Sequence, residues 1–168
     1  MTNAKVGMLM GSLSDKPVLE AAAGILNDFG VPFEWRVLSA HRTPAETHEY
    51  VSTAETRGIR VMICAAGMAA HLAGVTASGT IIPVLGVPVD ASLDGMDALL
   101  ATVQMPPGIP VATFGIGRAG AKNAALHAIQ ILALSDGDLR TALVEHRQAQ
   151  AAKVLASSEE LQKSLGGA

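Results

Sequence analysis

The sequence predicts an α/β protein, a three-layer doubly wound parallel sheet with extra helices at its C-terminal end. Short apolar runs alternate with Ala-rich helical segments through five successive units. The apolar runs lack strict two-residue alternation, as strands covered on both faces do. Glycine, proline or a capping residue punctuates the segment ends.

Residues 5–10 (K-V-G-M-L-M) form the first apolar run, long enough for a buried strand. Gly11-Ser12-Leu13-Ser14-Asp15 follows, and Pro17 opens an Ala-rich helix to about residue 29, with Ser14 or Asp15 as its N-cap. Gly30 stops that helix and Pro32 begins the second strand, residues 33–38. Thr43 reads as the next N-cap, with Pro44 at the first helical position and Glu46 completing a T-x-x-E capping box. This helix runs to about residue 56, where Gly58 breaks it; residues 60–65 give the third strand. Residues 66–72 make a turn and helix start, and residues 81–85 the fourth strand, with Gly86-Val87-Pro88-Val89 after it. A helix over 93–103, a fifth strand over 110–114 and a long Ala-rich helix over 118–134 follow. One or two more helices are expected from 136 onward, including 138–157. No internal repeat or boundary-like linker interrupts this order. A single domain over residues 1–168 is expected, its tail (about 136–168) packing on its own or a neighbouring subunit.

The composition is 49% hydrophobic and 16% charged, with mean hydropathy +0.36. About 25% charged is usual for globular chains, and no apolar run reaches the roughly 18 residues of a membrane span. The surplus apolar surface points to subunit interfaces and hence a homo-oligomer. Net charge −3 and the absence of any Lys/Arg block argue against a nucleic-acid surface. Met1-Thr2-Asn3-Ala4-Lys5 leads straight into the first strand without signal-peptide character. The lone cysteine, Cys64, fits a reducing cytoplasm and reads as a small buried core residue in V-M-I-C-A.

In doubly wound sheets, ligands bind beyond the carboxyl ends of the strands, at the topological switch point. In a flavodoxin-like 2-1-3-4-5 order, the loops after the first three strands become neighbours. They gather Ser12, Ser14, Asp15, His41, Arg42 and His71 around one cleft. Residues 11–15 offer backbone N–H groups and hydroxyls at a helix N-terminus, which suits a phosphate. Asp15 serves there either as a plain cap or as an acceptor for sugar hydroxyls or an amine. Arg42 suits bidentate binding of phosphate or carboxylate. His41 beside it is the strong candidate for acid–base chemistry near neutral pH. Residues 66–70 (A-G-M-A-A) are nearly free of side chains, suiting either close approach of substrate or close packing of a helix. His71 either contacts the ligand or caps local backbone.

His48, His127 and His146 lack such a context and read as surface or interface residues. No Cys/His cluster has structural zinc spacing, and no serine sits in a G-x-S-x-G elbow. Gly115-Ile116-Gly117-Arg118-Ala119-Gly120 is a literal G-x-G-x-x-G. It follows the fifth strand, however, and no later strand is expected to bear a ribose-binding acid, so tight helix–sheet packing is its better explanation.

These segments together resemble the class I N5-carboxyaminoimidazole ribonucleotide mutase family. The resemblance spans almost the whole chain: residues 11–15, S-A-H-R-T-P at 39–44, A-G-M-A-A-H-L at 66–72, P-V-L-G-V-P-V at 83–89, Q-M-P-P-G at 104–108 and G-I-G-R-A-G-A-K-N-A-A at 115–125. Arg42 separates it from the class II carboxylases, which usually carry Lys there. Leu13 and Met68 depart from the family's usual pattern at positions without a proposed role.

The resemblance implies movement of a carboxylate from the exocyclic nitrogen of an aminoimidazole ribonucleotide to ring carbon C4, without cofactor, metal or ATP. It implies His41 as general acid and base, with carbon dioxide retained between the two steps. Arg42 would meet the phosphate, and Ser12 and Asp15 would hold the ribose and phosphate end. Ser39, Ala40, Ala66, Gly67 and His71 would surround the base and carboxylate. The full set expected to bind substrate adds Ser14 and Leu72. A cytoplasmic homo-octamer with sites at subunit boundaries is also implied, with no nucleic-acid or membrane partner. A direct carboxylase using free bicarbonate or carbon dioxide, and a nucleotide sensor without turnover, are the competing readings.

Overall fold

The computed structural model describes residues 3–166. Met1 and Thr2, part of the expected lead into the first strand, and Gly167 and Ala168, the end of the expected tail, lie outside the described residues. The chain divides into two compact units, residues 1–131 and 132–168.

The first unit runs β1 (Val6–Met10), α1 (Lys16–Asp28), β2 (Phe33–Val37), α2 (Pro44–Ser52), β3 (Val61–Gly67), α3 (Leu72–Ser78), β4 (Val84–Val89), α4 (Met96–Val103), β5 (Ala112–Thr113) and α5 (Gly117–Leu132), which ends at the boundary. The strands form one parallel sheet in the order β2-β1-β3-β4-β5, with helices on both faces. The expected architecture, three-layer and flavodoxin-like, is therefore the observed one.

Register explains the two apolar layers. Leu9 pairs with Cys64, so their side chains share a face with Met62 and Val84, where they meet Val51, Leu72, Ala73 and Ala77 of α2 and α3. Met8, Ile63 and Leu85 are in register one step away and point to the opposite face. Every residue of β1 and β4 is buried, as are the first five of β3. That double burial is why these strands read as continuous apolar runs. The buried face of α5 is mostly alanine (Ala121, Ala124, Ala125, Ala128), which lets the helix axis lie close to what it covers.

Several boundaries differ from expectation for local reasons. The fourth strand is Val84–Val89 rather than 81–85, and it runs through Pro88. Phe114 N donates to Gly86 O, which places the polar groups of Gly86, and by two-residue periodicity those of Pro88, on the β5 side. β5 pairs only with Leu85 and Gly86, so at Pro88 no neighbouring strand needs the missing N–H. The expected helix over 93–103 divides into a single 3₁₀ turn (Leu93–Gly95) and α4, because Leu93, Asp94 and Gly95 all have positive φ. The helix expected to run to residue 56 ends at Ser52, followed by a 3₁₀ turn over Glu55–Arg57 that closes on left-handed Gly58.

The second unit contains one helix, α6 (Gly137–Ser164), where one or two were expected. Asp136 caps it, its Oδ1 accepting from the backbone N–H groups of Asp138 and Leu139 at 3.1 Å. None of its 28 residues is buried.

Candidate active site

The site begins where β1 stops. Gly11 leads into a 3₁₀ turn (Leu13–Asp15) that precedes α1, and Ser12 is its N-cap. A reciprocal capping box forms there. Ser12 Oγ accepts from Ser14 N at 3.3 Å, and Asp15 Oδ2 accepts from Ser12 N at 3.2 Å. Of the two expected caps of α1, Asp15 occupies the N-cap position. It makes no side-chain cap bond to the helix, because its carboxylate is turned back onto the loop. Ser14 Oγ lies 2.9 Å from Ser12 Oγ and 3.3 Å from Asp15 Oδ1, so its one proton has two acceptors. Burial raises the Asp15 pKa above its ordinary value, against the opposing pull of the Ser12 and Ser14 donors and the Arg42 charge.

The loop after β2 is built on Ser39. Its Oγ accepts from His41 N at 3.4 Å, Arg42 N at 3.2 Å and Arg42 Nε at 3.4 Å. The T-x-x-E capping box expected here does not form. Thr43 occupies the N-cap and Pro44 the first helical position, but Thr43 Oγ1 instead accepts from Ser39 N at 2.8 Å. The threonine therefore ties the loop to itself, and Thr47, buried beneath it, adds a hydroxyl bond to Ser39 O at 3.3 Å. His41 and Arg42 remain exposed at the top of this braced turn. Arg42 Nη2 reaches across to Gly11 O at 2.6 Å, joining the second loop to the first.

The third loop leaves β3 at Gly67 and enters α3 at Leu72, with His71 at the helix N-cap. His71 makes no side-chain cap bond to its helix. Its Nδ1 lies 2.9 Å from His41 Nε2, the rings edge to face with centroids 5.0 Å apart. Such a contact requires one N–H and one lone pair, and which ring supplies the proton depends on the tautomers. Of the two readings left open for His71, side-chain capping is therefore not the one found.

These loops surround a cleft of about 500 Å³. Ser12, Ser14, Asp15, Ser39, Ala40, His41, Arg42, Ala66, Gly67, His71 and Leu72 all line it, which brings together every residue picked out in the sequence. Gly11, Met68, Ala69 and Ala91 line it as well. Ala91 belongs to the loop after β4, which sequence reasoning missed because it ended that strand too early. Gly67 explains how Ala91 reaches the site: a Cβ on Gly67 would stand 3.0 Å from that of Ala91. Arg42 is drawn to the Ser12–Asp15 turn through Gly11 O, and Ala40, Ala66, Met68, Ala69, Leu72 and Ala91 add small or apolar groups to the lining.

Other residues fall outside this cleft. Cys64 is buried and donates to Thr76 Oγ1 at 3.4 Å; burial pushes its thiol up to about 12, as expected for a core residue and not a nucleophile. His127 packs against Phe114, the rings tilted with centroids 5.5 Å apart, and bonds Gln130; His146 bonds Gln150, and His48 is exposed. Among the described residues no group of three or more His, Cys, Asp or Glu converges as a metal would require, and no helix is long and apolar enough to cross a membrane. After G-I-G-R-A-G no strand follows α5 among the described residues. An ideal Cβ on Gly120 would lie 1.5 Å from Gly115 O, so the motif serves close backbone packing.

The comparisons with known proteins agree with this geometry. Residues 5–153 match the family model described as AIR carboxylase. The N5-carboxyaminoimidazole ribonucleotide mutase of Pyrococcus abyssi is 56% identical over 145 residues, covering 86% of this chain and 82% of the relative. The enzyme of that name from Bacillus subtilis is 53% identical over 157 residues, covering 93% and 97%. Treponema denticola PurE superposes with a TM-score of 0.85 at 28% identity, over 94% of this chain and 98% of that one. With most of its length matched in sequence and in fold, the chain belongs to the AIR carboxylase family.

Proposed function

We propose that this protein is an isomerase of purine biosynthesis that interconverts N5-carboxyaminoimidazole ribonucleotide and 4-carboxy-5-aminoimidazole ribonucleotide. The observation that carries the reading is one cleft holding His41 and His71 in contact, with Arg42 and the Ser12–Asp15 turn beside them. A proton-moving group next to an anion site is what a carboxylate migration on a phosphorylated nucleotide needs. The mutase names of the relatives support the same conclusion.

In this mechanism Arg42 holds the substrate phosphate, assisted by Ser12 and Ser14, and Asp15 accepts from ribose hydroxyls. The aminoimidazole lies toward Ser39, Ala40, Ala66, Gly67, His71 and Leu72. The bond between the exocyclic nitrogen and its carboxylate breaks, carbon dioxide leaves, and protonated His41 gives its proton to the nitrogen. C4 then attacks the retained carbon dioxide, and neutral His41 removes the C4 proton. The proton returns to its starting group, so the net reaction is an isomerisation needing no oxidant or reductant. One side chain acts as acid and then as base, which suits imidazole. Excluding water keeps the carbon dioxide in place and strengthens the local electrostatics.

The protein works as a cytoplasmic homo-oligomer, an octamer with sites at subunit boundaries, whose tail from about residue 136 packs on its own or a neighbouring subunit. The apolar composition and the wholly unburied α6 support this.

The defining experiment incubates the protein with N5-carboxyaminoimidazole ribonucleotide and follows 4-carboxy product by absorbance and mass spectrometry. His41→Asn is expected to lower kcat by about 10²–10⁴-fold while circular dichroism stays unchanged. Near-wild-type turnover would remove His41 from its role. The family description, AIR carboxylase, favours a second reading in which free carbon dioxide or bicarbonate is the donor. Efficient turnover of unsubstituted aminoimidazole ribonucleotide at low bicarbonate would establish that reading instead.

A further inference from the structure

Residues 66–69 line the cleft, and three of these four are alanine or glycine. The exception, Met68, carries the only side chain in the segment that extends beyond Cβ. Its backbone is left-handed, with φ +55°, a conformation unfavourable for an L side chain and freely adopted by glycine. Among the described residues only Leu93 and Asp94 share this condition without being glycine. Packing does not account for a methionine here, since Met68 is 61% exposed and adds little to the core.

The flanking residues hold the strained position in place. On one side Gly67 pairs with Val89 in the sheet. On the other, Ala70 is buried and its carbonyl lies 3.5 Å from Thr102 Oγ1, while His71 N donates to Ala69 O at 2.8 Å. Met68 therefore lines the cleft, largely exposed, from a segment held on both sides. It faces a site whose other apolar lining groups, Ala40, Ala66, Ala69, Leu72 and Ala91, include no second long, unbranched side chain. An unbranched thioether has the flexibility to cover ligands of irregular shape.

We propose that Met68 is the flap that closes the base end of the cleft and keeps carbon dioxide from escaping between its release and its recapture. The inference rests on the carboxylate-migration reading above. Met68 acts by covering the reacting groups and exchanges no proton with them. Its contribution is a partition: the ratio of turnovers that deliver the 4-carboxy product to those that lose carbon dioxide and release unsubstituted aminoimidazole ribonucleotide.

The test compares the wild type with Met68→Gly and Met68→Leu in single-turnover reactions with substrate labelled in the migrating carboxylate. Labelled gas, labelled product and melting temperature are all measured. Met68→Gly is expected to fold with undiminished melting temperature, because glycine accepts this φ, and to raise the fraction of label lost by at least about fivefold. Met68→Leu is expected to restore most of the retention, since it replaces the apolar bulk. Equal loss in Met68→Gly and wild type, or equal loss in Met68→Leu and Met68→Gly, would overturn the flap while leaving the migration intact. A wild type that moves no label to C4 would overturn the migration reading, and the flap with it.

Discussion

Asp15 shows how a single residue trades stability for a site. Its carboxylate accepts from Ser12 N and Ser14 Oγ and feels the charge of Arg42, yet burial outweighs these and raises its pKa. A carboxyl with a folded-state pKa above its unfolded one binds its proton more tightly when folded. Stability therefore falls as pH rises from the unfolded to the folded titration point, and the deficit persists at neutral pH. Asp15→Asn removes the buried charge while keeping an acceptor for Ser12 N. Calorimetry is expected to show a higher melting temperature than wild type at pH 7, the advantage shrinking as pH falls through the acid range. Nucleotide binding is expected to weaken in the same variant. A lower melting temperature at pH 7 would mean that the hydrogen bonds outweigh the burial. Arg42 and Ser39 carry the complementary lesson. The hydroxyl with three N–H groups around it and the guanidinium reaching Gly11 set the direction in which His41 is presented.

At the level of elements, loop position follows from strand ends, and strand ends follow from hydrogen-bond demand. β4 continues through Pro88 because β5 is too short to call on the missing donor, and the extension delivers Ala91 to the cleft. The start of α5 is governed by a closer approach still. Gly120 lies so near Gly115 O that no side chain fits, and the obstruction is backbone rather than a movable side chain. Gly120→Ala is expected to cost at least about 2 kcal/mol through overpacking, against a small gain for a typical glycine-to-alanine change within a helix. Urea unfolding at constant m-value measures it. A loss below about 0.5 kcal/mol would show that the Gly115 turn can shift freely. Arg118 reinforces this junction by donating to Pro17 O at 2.9 Å, which ties the α5 start to the α1 start near the first site loop.

The whole chain has more apolar surface than its own folding uses. On α4, Met96, Leu100 and Val103 are each about half exposed at spacings of four and three, one continuous stripe on a helix. Ile81 is 92% exposed, and α6 presents Val144, Val154, Leu155 and Leu161 without a buried residue. Stripes of this kind ordinarily mark surfaces that meet another chain. Sedimentation analysis is expected to give a mass several times the 17.2 kDa of one chain. Leu100→Asp is expected to reduce it by placing a charge in the stripe. A monomeric wild type at micromolar concentration would contradict the expectation.

Much of the site was legible before the fold was known, for a definite reason. In a parallel α/β sheet the loops after consecutive strands fall at one edge, so identifying strand ends locates the cleft; the six residues gathered that way line it, as do the five that the family resemblance added. The 2-1-3-4-5 order, adopted with the flavodoxin-like class and not given by the alternation itself, is the order found. What stayed illegible depends on contacts between segments distant in sequence. The strand expected over 81–85 runs on through Pro88, because its lack of a donor matters only if a neighbour strand asks for one, and the length of β5 is a tertiary fact. Thr43 and Glu46 fit a capping box, but the Ser39 backbone competed for the threonine hydroxyl. The amino-acid sequence alone thus determined the fold class and the residues that gather around the cleft. Tertiary structure decided that His41 Nε2 meets His71 Nδ1, that Ala91 joins the lining and that Met68 lines the cleft with a left-handed backbone. Distances and backbone strain arise where separately encoded loops are forced to share one space, and no local pattern of residues specifies that.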